Sequence, residues 1–111
     1  MIIVHGTIPI LSGHRDKALE LAKKMIDATR QEKGCISYDF YVGLSDPNTL
    51  MLFQEWENME SLMNHFQTSH MEHFLRELPN VVSGDIITRR YSVESLDDSQ
   101  ETVPEEAPIV H

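Results

Sequence analysis

Four short runs of this chain carry apolar side chains on consecutive residues, where a strand with one face in water would alternate. Ile2 to Ile10 (IIVHGTIPI), Cys35 to Leu44 (CISYDFYVGL), Thr49 to Glu57 (TLMLFQEWE) and Val81 to Val93 (VVSGDIITRRYSV) are rich in β-branched and aromatic residues and lack a helical period. In the first run Ile2, Val4 and Ile8 oppose Ile3. In the second Ile36, Tyr38 and Phe40 oppose Cys35 and Tyr41, and in the third Leu50 and Leu52 oppose Met51 and Phe53. A sheet built from these strands needs cover on both faces.

Helices can supply one cover. Between His14 and Lys33 the residues Ala18, Leu19, Ala22, Met25, Ile26 and Thr29 recur at three- and four-residue intervals, and Gly34 supplies a stop. Asn58 can cap a short helix with the stripe Met59, Leu62, Met63 and Phe66, ending near Thr68. Ser69-His70-Met71-Glu72 then has the form of a capping box before Met71, Phe74, Leu75 and Leu78, and Pro79 ends that helix. Ser45 to Asn48 is a turn cluster that makes the second and third strands a hairpin. The order is β-α-β-β-α-β with the second helix broken in two. This predicts an α+β, ferredoxin-like fold, an antiparallel four-stranded sheet with its helices on one face. The economical cover for the other face is a second copy, giving a homodimeric α+β barrel with a cavity between sheet and helices in each half.

At 111 residues the chain has room for one domain, expected over residues 1–93. Residues 94–111 hold six of the eighteen acidic residues and no Lys or Arg, and read as a separate acidic tail, either disordered or packed on a partner subunit. A formal charge of −9 repels phosphate backbones and anionic headgroups, so neither nucleic acid nor a membrane is an expected partner. The single cysteine, Cys35, excludes an intrachain disulfide, and the amino terminus lacks the basic and long apolar regions of a signal peptide. The expected location is the cytoplasm.

The stretch from Thr29 to Tyr38 (TRQEKGCISY), then Asp46-Pro47, Gln54-Glu55-Trp56-Glu57, and His65 through His70 to Phe74 resembles the antibiotic biosynthesis monooxygenase superfamily, a likeness covering about Val4 to Val93. The resemblance implies a dimeric α+β barrel. It also implies a cofactor-independent oxygenase that oxidises a small aromatic quinol or phenol with dioxygen, needing neither metal nor organic cofactor. Other members degrade haem or isomerise small signalling metabolites, so an isomerase of a small metabolite and a haem- or ligand-binding module are the alternatives. The chain lacks the Asn on the first strand and the Trp in the second helix pair that haem degradation calls for, and no Pro precedes Gly34.

Such an oxygenase needs a base to generate an electron-rich phenolate, an apolar chamber, and donors for developing peroxide. Histidine is the natural base near neutral pH. His65 borders the buried stripe of its helix, as either a cavity-facing base or a helix-edge residue bonded to backbone. His70 lies in the first turn of the next helix, where the positive end of the dipole favours neutral imidazole and a donor role; a surface position in the capping region is the competing reading. Trp56, Tyr38, Phe40 and Phe74 are candidate walls for an aromatic substrate or ordinary core. His5 with Thr7 puts a polar pair on the first strand, where an occupied cavity would welcome one. His65 with Glu55 is a conceivable proton-shuttling pair for an isomerase; His65, His70 and His73 could share a face, but neither an HExxH motif nor a nearby ordered carboxylate pair accompanies them, so no metal site is expected.

Overall fold

The computed structural model describes residues 1–96, and the acidic segment beyond lies outside the described residues. The chain runs β1 (Ile2–Pro9), α1 (Arg15–Thr29), β2 (Cys35–Val42), β3 (Thr49–Trp56), α2 (Met59–His65), α3 (Ser69–Glu77), a 3-10 turn (Leu78–Asn80) and β4 (Ile87–Ser92). The strands form one antiparallel sheet in the order β2-β3-β1-β4, the expected ferredoxin-like topology with its second helix split.

The core lies between the sheet and the helices. Ile2, Val4 and Ile8 of β1 and Leu50, Leu52 and Trp56 of β3 pack on Ala18, Leu21, Ala22 and Met25 of α1, with Leu62 and Phe74 from the split helix. These sheet residues share one face because successive side chains point opposite ways and the β1–β3 register sets Ile2 against Trp56, Val4 against Gln54 and Ile8 against Leu50.

The other face carries Ile3, His5, Thr7, Met51, Phe53, Ile87, Arg89 and Tyr91 in register. Tyr41, Ile87 and Tyr91 are exposed there. Greasy residues on both faces were expected from the strand pattern, and among the described residues nothing covers the second face.

Several local expectations need correction. Ile36 does not share the inner face with Tyr38: Cys35 pairs with Trp56 and Ser37 with Glu55, so Ile36 is the extra residue of a β-bulge and is 51% exposed. On α2, Leu62 and His65 face inward, while Met59, Met63 and Phe66 are exposed. The cap of α3 is Thr68, whose hydroxyl accepts from the Met71 amide at 3.3 Å, one residue ahead of the expected Ser69 box. The same hydroxyl donates to the carbonyl of His65 at 2.8 Å, which explains the displacement: Thr68 joins the two short helices. The last strand also starts later than Val81; the segment before it contributes a single bridge, Val82 to Ile10.

Gly34 sits where α1 turns into β2, with φ of +86°, and a side chain there would run into Ser61 of α2. The close approach fixes the position of the loop that carries Glu32.

Candidate active site

Helix α1 ends at Thr29, earlier than the expected Lys33, and residues 30–34 form a turn. Arg30 anchors that turn to the sheet: its Nε donates to the Tyr38 carbonyl at 3.1 Å and its guanidinium lies 3.4 Å from Asp39. Glu32 is thereby directed inward between the two short helices. Its Oε2 accepts from His65 Nδ1 and from His70 Nε2, each at 2.7 Å.

A carboxylate offers only acceptors, so both facing ring nitrogens carry the proton. Asn58, whose side chain accepts from the Ser61 amide at 2.9 Å, starts the helix that delivers His65, and the Thr68 cap starts the helix that delivers His70.

The His65 ring is wholly buried, with centroid separations of 5.0 Å to Trp56, 5.7 Å to Tyr38 and 5.9 Å to Phe66. Burial pushes its pKa below the ordinary imidazole value; the hydrogen bond and charge of Glu32 pull the other way, and His70 adds a smaller push downward. The downward shift keeps the ring neutral at pH 7. With the proton on Nδ1, the lone pair is on Nε2, which has no hydrogen-bond partner among the described residues. The arrangement is a carboxylate-oriented imidazole with a free basic nitrogen.

Around it, Trp56 Nε1 donates to Gln54 Oε1 at 2.7 Å. Burial raises the Tyr38 phenol well above its ordinary value, with the Glu32 charge adding to the rise, so Tyr38 stays protonated. The nearby Thr29 hydroxyl opposes this slightly yet forms no hydrogen bond of good geometry.

Beside this cluster, under α3, lies a cavity of about 340 Å³ lined mainly by apolar side chains, among them Leu52, Phe66, Phe74 and Leu78, with Gln54, Thr88 and Arg90 as polar members. His65 stands one layer behind its wall, against Phe66 and against the Trp56–Gln54 pair.

Of the residues singled out from the sequence, His65, His70, Trp56 and Tyr38 come together around Glu32, and Phe40 joins them through edge-on contact with Tyr38 at 5.6 Å. Phe74 lines the cavity and packs 6.1 Å from Phe40. His5 is separated from all of them: it is exposed on the opposite sheet face, beside Thr7, Arg89 and Tyr91. Trp56 and Tyr38 are too enclosed to meet a ligand directly as the chain stands.

Glu32 was not anticipated, because it is 33 residues from His65 and 38 from His70 and nothing local marks it. Gln54 left a readable trace, a lone polar side chain on the inner face of β3 between Leu52 and Trp56.

Among the described residues the carboxylate that accompanies the histidines is thus Glu32 alone, and Glu55, the partner conceived for His65, instead accepts from the Ser37 hydroxyl at 2.7 Å. Glu32, His65 and His70 hold one oxygen and two nitrogens within 4.8 Å of one another, a donor set suited to a transition metal. Binding an ion through His65 Nδ1 would shift that ring's proton to Nε2, where no acceptor waits among the described residues. Metal-bound imidazoles ordinarily donate that second N–H, so the surroundings fit the proton-bearing cluster better than a metal centre.

The sequence pattern that defines antibiotic biosynthesis monooxygenases matches residues 1–77. The chain belongs to that family. The chain is 29% identical over 92 residues to the uncharacterized protein sll1783 of Synechocystis, covering 83% of this chain and 63% of that one, so it spans less than two thirds of that relative. The Escherichia coli K12 protein named "Probable quinol monooxygenase YgiN" is 28% identical over 82 residues, covering 67% of this chain and 75% of the other. A crystal structure of an antibiotic biosynthesis monooxygenase superposes with a TM-score of 0.79 at 24% identity, over 86% of this chain and 100% of that one. A conserved Methanosarcina mazei protein does so at 0.80 and 25%, over 84% and 92%. These two share the fold of the family member described here.

Proposed function

We propose that this chain is a cofactor-independent monooxygenase that oxidises a small aromatic phenol or quinol with dioxygen, working as a homodimer in which the exposed sheet faces pack together. One observation carries the reading: a wholly buried, neutral His65, one layer behind the wall of an apolar cavity, is held at Nδ1 by Glu32 and keeps at Nε2 a lone pair with no partner among the described residues. Family membership and the name carried by the Escherichia coli relative support the same reaction class.

In this reading the substrate ring enters under α3 between Phe66 and Phe74, and displacement of the half-exposed Phe66 opens the way to Nε2. His65 removes the phenolic proton, and Glu32 stabilises the resulting imidazolium. The phenolate supplies the electrons to dioxygen. For a phenol with a free para position, one oxygen atom ends as the new ring carbonyl and the other leaves as water, so phenol and dioxygen give quinone and water with atoms balanced. His70, donating to the same carboxylate, is a positioning residue; Trp56, Tyr38 and Phe40 keep the base dry, which strengthens its electrostatics.

The test is oxygen uptake with dihydroxynaphthalenes and anthrones under aerobic and anaerobic conditions, on the native protein and His65→Ala. Uptake lost in the variant and partly restored by added imidazole would support the reading. Full turnover in a folded His65→Ala protein would remove the base. Sedimentation at micromolar concentration tests the dimer, and a well-folded lone protomer would refute that part.

A further inference from the structure

The cavity is apolar on most sides but carries an uncompensated charge at its rim. Arg90 projects from the inner face of β4 into the lining, with its guanidinium carbon 5.8 Å from the centre of the Phe66 ring. Among the described residues it makes no ion pair, although the chain as a whole is rich in acid. Among the described residues no Asp or Glu lines the cavity, so none of them neutralises Arg90 there.

The other two polar members of the lining also offer donors. Gln54 Oε1 is occupied by the Trp56 N–H, which leaves its amide N–H groups for a ligand, and Thr88 brings a hydroxyl two residues from Arg90 along the same strand face. A pocket whose walls are aromatic and whose polar groups all donate is complementary to a flat ring bearing an anion. A volume of about 340 Å³ is at the small end for ligand pockets and suits one or two fused rings.

We propose that the cavity under α3 selects an aromatic carboxylate, its ring between Phe66 and Phe74 and its carboxylate on the Arg90 guanidinium. Contact with the Phe66 ring places the guanidinium at the mouth before the ligand arrives. Arg90 is exposed, so solvent screens the pair and the selectivity is moderate. The inference rests on the cavity being the substrate pocket and adds the charge of the substrate.

Equilibrium binding separates this from the oxygenase chemistry, because 2-naphthoate has no quinol to oxidise. Titration of the full chain with 2-naphthoate, 2-naphthamide and decanoate, each against native protein, Arg90→Gln and Arg90→Lys, should rank 2-naphthoate roughly tenfold above the amide at low salt. That preference should disappear in Arg90→Gln, return in part in Arg90→Lys and shrink as salt rises. Equal binding of naphthoate and naphthamide, an Arg90→Gln protein that keeps the preference, or decanoate binding as tightly as naphthoate would each overturn the proposal. Naphthoate selectivity in a protein that consumes no oxygen would uphold it while the oxygenase reading fell.

Discussion

Replacing Glu32 by Gln changes little in volume and removes the charge of the one group that accepts from both His65 and His70. Both N–H donors are satisfied by the same Oε2 at 2.7 Å, so a glutamine carbonyl oxygen in its place can still accept from both, but without the charge that strengthens each bond. The imidazolium that His65 becomes on taking a proton loses its counter-charge, and His65 is no longer bound to hold its own proton on Nδ1, because the new amide can also donate to that nitrogen. The Glu32 and His65 side chains are 14% and 0% exposed, so water can screen the bonds only slightly. Turning two charge-assisted hydrogen bonds into neutral ones costs about 1.5–3 kcal/mol in total. At about 4–8 °C per kcal/mol for a domain near this size, that is a fall in Tm of roughly 6–24 °C.

Turnover should fall further than stability suggests, on the order of 10²–10⁴ in kcat, the scale seen where an orienting carboxylate is neutralised in a serine protease triad. The assay pairs thermal unfolding with oxygen uptake, and 15N NMR of the imidazoles reports the tautomer. A variant with unchanged Tm and a His65 proton still on Nδ1 would refute the reasoning, since Glu32 would then neither stabilise nor orient.

Gly34→Ala should destabilise by more than about 2 kcal/mol in urea unfolding, because it combines a positive φ with a collision against Ser61. Leu62→Ala, at a fully buried position, should cost about 2–5 kcal/mol by the same measurement. His65 has a folded pKa below its unfolded value, so the unfolded state takes up the proton first as pH falls. Stability should hold above about pH 6.5 and drop below it with a slope of at most about 1.4 kcal/mol per pH unit from this residue, a slope that His65→Ala should lose in pH-resolved denaturant melts. The same shift places the acid limb of the kcat/KM profile below pH 6.5, and a limb above that value would contradict it.

The strands, the split second helix and the α+β class were all readable from the sequence, because each rests on a local period: β-branched runs for β1 to β4, three- and four-residue spacing for α1 to α3, and Asn58 as a cap. Local patterns also placed Leu50, Leu52, Gln54 and Trp56 on one face, since alternation along an unbroken strand needs no knowledge of the neighbours. Ile36 escaped that logic. A bulge is a property of pairing between two strands, and nothing in CISYDFYV alone announces it.

His65 and His70 could be suspected from their helix positions, but their chemistry could not. The group that orients His65, Glu32, comes from a turn 33 residues earlier, and its direction depends on Gly34 closing against Ser61 and on Arg30 holding the β2 backbone. His5, read as a polar residue for an occupied cavity on the face opposite Val4 and Ile8, is on the side of the sheet away from the helices, because which face the helices cover is decided by packing. Periodicity along the chain determined the elements and their apolar faces. Which acid meets which base was decided only by tertiary structure, because hydrogen bonds between distant side chains form where loops and caps deliver them and leave no period in the sequence.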